Sequence, residues 1–205
     1  GSELYQTRVA WGDYDNDNDL DLVISGNLAS TSSEHTAIYQ NNNGVFSDIS
    51  ATLPTRISDV KWGDIDNDND LDLITVHVSI VASSDVNTQI FRNDNGTFTD
   101  SHDGIVEMSG AVDTADFDGD GYLDLVITGQ LPAGYSPQYA TRIYRNMRFT
   151  ENTAANVPDV VFGVGDWGDY DSDGDLDLLV AGMNSGTNYA GVSRNDSGVF
   201  PDIGA

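Results

Sequence analysis

Cysteine is absent, so the chain has neither disulfide staples nor thiolate chemistry. Basic residues are scarce: 8 Lys and Arg stand against 34 Asp and Glu, for a formal charge of −26. That balance excludes a phosphate-binding face, and with it nucleic acid and anionic membrane surfaces as partners. No apolar run approaches the roughly 20 residues of a membrane span, so no membrane insertion is expected. No signal peptide is visible, and Gly1-Ser2 reads as a cloning scar. No capped amphipathic helix is found. There is no Gly-x-Ser-x-Gly elbow, phosphate loop or His-Glu-x-x-His. His35, His77 and His102 share no position, whereas a catalytic histidine needs a partner at fixed geometry. No enzyme is expected.

What is present is an acidic phrase, four times over: Asp13-Tyr-Asp-Asn-Asp-Asn-Asp-Leu-Asp21, Asp64-Ile-Asp-Asn-Asp-Asn-Asp-Leu-Asp72, Asp116-Phe-Asp-Gly-Asp-Gly-Tyr-Leu-Asp124 and Asp169-Tyr-Asp-Ser-Asp-Gly-Asp-Leu-Asp177. The first aspartates lie 51, 52 and 53 residues apart. A fixed period near 50 points to a propeller or solenoid built from one unit. Carboxylates at the first, third, fifth and ninth positions can converge on one point in a tight loop. These are Asp13, Asp15, Asp17 and Asp21; Asp64, Asp66, Asp68 and Asp72; Asp116, Asp118, Asp120 and Asp124; Asp169, Asp171, Asp173 and Asp177. The seventh position (Asp19, Asp70, Tyr122, Asp175) is expected to offer its backbone carbonyl, since one copy carries no carboxylate there. The sixth must turn sharply and is Asn18, Asn69, Gly121 and Gly174, residues that tolerate the left-handed region.

Five or more oxygen donors without nitrogen or sulfur suit Ca²⁺ over Zn²⁺ or copper, and a flexible loop suits it over Mg²⁺. About four ions are expected, one per repeat; they would bring −26 to −18. An EF-hand needs an acidic twelfth residue, and Ile24, Thr75, Ile127 and Val180 stand there. Solvated acidic turns are disfavoured because carboxylates packed this closely repel.

Each unit reads as four antiparallel strands: a short lead-in to the acidic loop, an apolar strand, a third strand after a variable loop, and a fourth strand. The apolar strands are Leu20 to Ser25, Leu71 to Val76, Leu123 to Thr128 and Leu176 to Ala181, with apolar residues on both faces. Asn43-Gly44, Asn95-Gly96 and Ser197-Gly198 supply tight hairpin turns; the third unit is shorter, reading Asn146-Met-Arg-Phe149. The fourth strands carry Phe46, Phe98, Phe149 and Phe200. Four strands per repeat make a propeller blade. The expected fold is therefore an all-β propeller of four blades, with a calcium loop between the first and second strands of each. A single domain over 3–205 is expected, with blades at about 3–55, 56–107, 108–160 and 161–205, each of them whole. Trp11, Trp62 and Trp167 recur just before the loops and are expected to pack between blades.

The acidic phrase, its apolar strand and the following Arg-Asn-x-x-Gly-x-Phe-x-Asp (Arg92 to Asp100, Arg194 to Asp202) resemble the FG-GAP or VCBS repeat. That repeat builds the propeller of integrin α subunits and of many bacterial extracellular proteins. The resemblance covers essentially the whole chain. It implies calcium on one rim of the propeller and partner binding on the other. Full rings in the family usually have about seven blades, so the four here could close alone, pair as a homodimer completing a larger ring, or belong to a longer propeller.

The loops that differ most are Gly26 to His35, His77 to Thr88, Gly129 to Tyr139 and Gly182 to Tyr189. Variable loops on a rigid scaffold are where binding usually lives. Tyr135, Tyr139 and Tyr189 are the candidate ligand-binding residues. Arg142, Arg145 and Arg148 form the basic cluster, expected to offset neighbouring acids. Taken together, the reading is a calcium-stabilised module, secreted or on the cell surface, for adhesion or recognition of a protein or glycan. Alternatives are an accessory region of a larger secreted enzyme and a structural arc that self-associates.

Overall fold

A computed structural model describes residues 4–28, 33–77, 88–106, 108–132, 134–146 and 149–201. The described residues form strands and connections without a helix. The first sheet contains β1 (Leu4–Gly12), β2 (Asp21–Leu28), β3 (Glu34–Asn42) and β4 (Val45–Asp48). The second contains β5 (Ile57–Gly63), β6 (Asp72–His77), β7 (Thr88–Asp94) and β8 (Thr97–Asp100). The third contains β9 (Ser109–Ala115), β10 (Asp124–Gln130), β11 (Tyr139–Arg145) and β12 (Thr150–Glu151). The fourth contains β13 (Val161–Gly168), β14 (Asp177–Asn184) and β15 (Thr187–Ser193). Each sheet is an antiparallel meander in chain order, giving a four-bladed, propeller-like arrangement.

Turn chemistry sets the registers. Asn43-Gly44 and Asn95-Gly96 both take positive φ, as a two-residue hairpin between right-twisted strands requires. They align Asn42 with Val45 and Asp94 with Thr97. In the third blade Phe149 donates its N–H to Asn146 O, and Arg145 pairs with Thr150. Residues 147 and 148, and with them Arg148 of the basic cluster, lie outside the described residues.

The fourth blade departs from expectation. Among the described residues its last strand shrinks to a single bridge between Asp196 and Val199. The cause is Pro201. It stands where Ser47 and Thr99 continue the ladder opposite Gln40 and Arg92, and proline has no N–H to give. The same blade corrects one variable loop. β14 and β15 are joined by a tight Ser185-Gly186 turn, both residues at positive φ, so the strands consume most of Gly182 to Tyr189. Of the other variable loops, residues 29–32, 78–87 and 133 lie outside the described residues.

The hydrophobic core lies between blades rather than within them. Three clusters fill three junctions. One joins the first and second blades around Tyr14, Val23, Ile38, Val60, Leu73 and Phe91. The largest joins the second and third around Ile65, Ile74, Ile90, Met108, Leu125 and Tyr144. The last joins the third and fourth around Phe117, Val126, Ile143, Leu178 and Phe200. The first strands β1, β5, β9 and β13 pack side by side in that order, and no comparable packing joins β13 to β1 among the described residues. This corrects the expectation that every second strand is buried on both faces. β6 and β10 are, but in β2 buried and half-buried residues alternate, and β14 leaves Leu179 exposed. The end blades each lack one neighbour.

The junctions share a plan. Tyr14 stacks on Trp62 at 6.1 Å between ring centroids and meets Phe98 at 5.6 Å. Phe117 repeats this against Trp167 at 5.3 Å and Phe200 at 5.7 Å. Trp62 and Trp167 thus pack between blades, as expected, whereas the Trp11 ring meets Phe46 of its own blade and stays exposed. Beneath each phenylalanine runs a buried amide. Asn93 Nδ2 donates to Tyr14 O of the preceding blade (2.8 Å) and to Leu71 O (3.1 Å), and its Oδ1 accepts Gly96 N–H (2.7 Å). Asn195 bonds Phe117 O, Leu176 O and Gly198 N in the same way. Asn146 reaches Ile65 O.

Removing such an amide strands several buried polar groups at once. Asn93→Ala is expected to cost about 2–4 kcal/mol. The half-buried counterpart Asn41→Ala, whose side-chain bonds stay within its own blade, should cost less than about 1 kcal/mol. Urea denaturation midpoints at constant m value measure both.

Candidate metal centres

Each acidic loop joins the first and second strands of its blade, so all four lie on one rim. Their flanks are strands, as the exclusion of an EF-hand required. The backbone coils so tightly that two residues per loop take positive φ. The sixth positions Asn18, Asn69, Gly121 and Gly174 do so as expected, and so do the fourth positions Asn16, Asn67, Gly119 and Ser172, which the sequence reading missed. The residue types there, Asn, Asn, Gly and Ser, were the available signal.

The first aspartate holds the coil. Asp13 accepts the N–H groups of Asp17 (3.0 Å) and Asn18 (3.0 Å). Asp64, Asp116 and Asp169 do the same in their loops. The fifth aspartate caps the seventh residue: Asp17 accepts from Asp19, Asp68 from Asp70, Asp120 from Tyr122 and Asp173 from Asp175. The ninth is the buried anchor. Asp21 accepts Tyr14 N–H at one oxygen and Asn41 N–H at the other, tying the loop to the third strand. Asp72, Asp124 and Asp177 repeat both bonds.

The seventh side chain has a separate task. Asp19, Asp70 and Asp175 accept the N–H of Asn43, Asn95 and Ser197 at the hairpin of strands three and four. The carboxylate is therefore spoken for, and it is dispensable only where the hairpin changes. Tyr122 occupies this position in the one blade whose turn is shortened at Asn146.

Carboxylate oxygens converge within 4.8 Å of one another in each loop: Asp13, Asp15 and Asp17; Asp64, Asp66 and Asp72; Asp116, Asp118 and Asp124; Asp169, Asp171 and Asp177. The first and third positions thus meet everywhere. The ninth joins them in three loops and the fifth in the other. Asp15 Oδ1 and Asp118 Oδ1 are buried without a hydrogen-bond partner. Unpartnered anionic oxygens facing like charges at this spacing fit a bound metal ion, and the oxygen-only donor set fits a hard one.

A third-strand side chain sits beside each of the first three clusters, a feature the sequence reading did not place. Arg92 approaches Asp72 (3.2 Å) and Asp66 (3.5 Å), and Arg145 approaches Asp118 (3.2 Å). Gln40 Nε2 donates to Asp15. Arg194 instead pairs with Asp196 at 2.8 Å. Arg142, three residues before Arg145, pairs with Glu151 and Asp159, as expected of a group offsetting acids.

The candidate ligand tyrosines are placed apart from these loops, at the other ends of the strands. Tyr135 is exposed in the β10–β11 connection. Tyr139 begins β11, and its hydroxyl lies 3.2 Å from Ser185 Oγ of the next blade. Tyr189 lies within β15, paired with Gly182 and packed against the third core cluster. It is a strand residue rather than a loop residue.

Burial pushes the Asp124 carboxyl up to about 7, with the Asp118 and Asp120 charges adding to it and the Asn146 and Phe117 N–H groups opposing. Burial likewise raises Asp21, Asp72, Asp66 and Asp118. The folded, metal-free protein therefore holds the Asp124 proton more tightly than the unfolded chain. This contribution to stability is complete below the ordinary value of 3.8 and is lost as pH rises through about 7. Metal-free protein is expected to melt higher at pH 5 than at pH 8. Asp124→Asn should shallow that slope, and a saturating divalent cation should reverse the order; thermal melts across pH check all three.

A comparison with proteins of curated function found no match. The family model described as an FG-GAP-like repeat matches residues 13–75 and 78–127, more than half of the chain. Those stretches take in the first three acidic loops. The repeat period, the meander blades and the rim of acidic loops agree with that match, and the chain belongs to the FG-GAP-like repeat family.

Proposed function

We propose that this chain is a calcium-stabilised propeller module of a secreted or cell-surface protein, non-enzymatic itself, that recognises a protein or glycan. The observation that carries the proposal is the fourfold convergence of carboxylates in loops whose backbone is already coiled around them. Calcium is the ion of choice because the donors are all oxygen and the loops are irregular, where Mg²⁺ would demand an octahedron. The carboxylates of the first, third, fifth and ninth positions would hold it, together with the carbonyls of Asp19, Asp70, Tyr122 and Asp175. Extracellular modules bind calcium at about 10⁻⁴–10⁻³ M, which suits loops this exposed and supports an exterior location.

The ion's part is structural. It cancels clustered charge and pins the loop that the ninth aspartate ties to the third strand. Recognition falls to the opposite rim, where the blades differ. Tyr135 and Tyr139, next to the Ser185-Gly186 turn, form its most aromatic stretch among the described residues.

At free calcium ten times the dissociation constant, each filled site stabilises the fold by about 1.4 kcal/mol. Exhaustive chelation should lower the melting temperature by roughly 10 °C, and added calcium should restore it. An unchanged melt would sink the calcium reading. A glycan and protein binding screen, run with and without calcium, tests recognition. Tyr135→Ala should abolish a genuine hit while leaving the melt unchanged.

A further inference from the structure

The first and fourth blades each present one half of a junction that no described residue of this chain covers. The completed junction between the first and second blades has five matched parts. Tyr14 supplies a ring, Trp62 and Phe98 receive it, Gly12 gives Trp62 and Leu71 room to approach, and Asn93 bonds Tyr14 O. A side chain built on Gly12 would lie 2.8 Å from the Trp62 ring.

The fourth blade presents the donating half with nothing against it. Tyr170 occupies the Tyr14 position and is 54% exposed. Gly168 occupies the Gly12 position, and a side chain built there would meet nothing within 4 Å. Leu179 is 44% exposed, although its counterparts Val23, Ile74 and Val126 are at most 1% exposed. The first blade presents the receiving half. Trp11, Leu20 and Phe46 are exposed at the positions of Trp62, Leu71 and Phe98, and Val9 is exposed where Val60 and Val112 are buried. Among the described residues Asn41 Nδ2 bonds Leu20 O, without the second carbonyl that Asn93 and Asn195 find.

The halves also match in kind. Where the donating residue is aromatic, at Tyr14 and Phe117, the receiving blade carries a tryptophan. Where it is Ile65, the receiving blade carries Thr114 at the tryptophan position and packing is through Phe149. Tyr170 and Trp11 belong together by the same rule. The chain does not bring them together itself, because its first and fourth blades do not pack on each other. We propose that two copies of the chain associate head to tail, the Tyr170 face of each docking on the Trp11–Phe46 face of the other, and close an eight-bladed ring. A head-to-tail interface that closes by two-fold rotation leaves no face open, and eight blades lie within the range that propellers adopt.

Analytical ultracentrifugation of the full chain tests this, in about 0.15 M salt to screen the acidic surfaces. The expected particle contains two 22.0 kDa chains. Trp11→Lys spoils only the receiving face and Leu179→Lys only the donating face. Neither residue belongs to a metal loop, and circular dichroism confirms that each variant folds. Each variant alone should be monomeric, because every junction needs both faces. Their mixture should form a one-to-one dimer through the single intact junction. A monomeric wild-type chain, a variant that still dimerises alone, or a mixture that stays monomeric would each overturn the proposal.

Discussion

A single blade cannot bury its own second strand. That strand is apolar on both faces, and a meander of three or four strands covers neither. Everything else in the structure follows from the need to lay another blade on each side. The core is consequently distributed over junctions, and each junction is built from the same few parts: a bulky apolar side chain offered by one acidic loop (Tyr14, Ile65 or Phe117), a tryptophan or threonine with a phenylalanine to receive it, and an amide beneath. The acidic loops are where this need meets the charge problem. In the first three loops the second residue, Tyr14, Ile65 or Phe117, enters the next blade, so these loops cannot be displaced outward to relieve carboxylate repulsion without withdrawing it. Charge must be cancelled in place.

Much of this was legible in the chain itself. The period, the meander and the meeting of the first and third aspartates follow from spacing alone, whereas the ninth joins them in three loops and the fifth in the first loop. The inward role of Trp62 and Trp167 follows from their recurrence. What escaped the sequence reading depended on three-dimensional neighbours. Arg92 and Arg145 lie some 25 residues from the acidic groups they approach, and only strand pairing brings them there. The seventh aspartate looked dispensable because Tyr122 replaces it, yet the shortened turn at Asn146 is what allows the replacement. The end blades looked like the inner ones because periodicity records a strand's pattern and not whether a neighbour is present. Pro201 was visible in the chain, but its effect is clear only once the residue is seen opposite Arg194.

The four copies of the repeat differ from one another in a coordinated way. Residues at facing positions vary together: Tyr14 stacks on Trp62, Phe117 on Trp167, and Ile65 faces the blade that carries Thr114 at the tryptophan position. Where a blade breaks a pattern, its partner in space breaks it too.

The loops also touch one another. Asn16 donates to Asn69 O and Asp70 of the next loop, and Asn67 donates to Gly121 O. The fourth position thus links the rim into a row, in which the order of one loop supports the order of the next, as in a stack of repeats coupled to nearest neighbours. Gly119 has no side chain to continue the row, so the link is missing between the third and fourth loops. The rim is in this sense a linked group of three with a fourth beside it. Loosening of the fourth loop would leave the others' mutual support untouched, whereas loosening of the second would remove support on both sides.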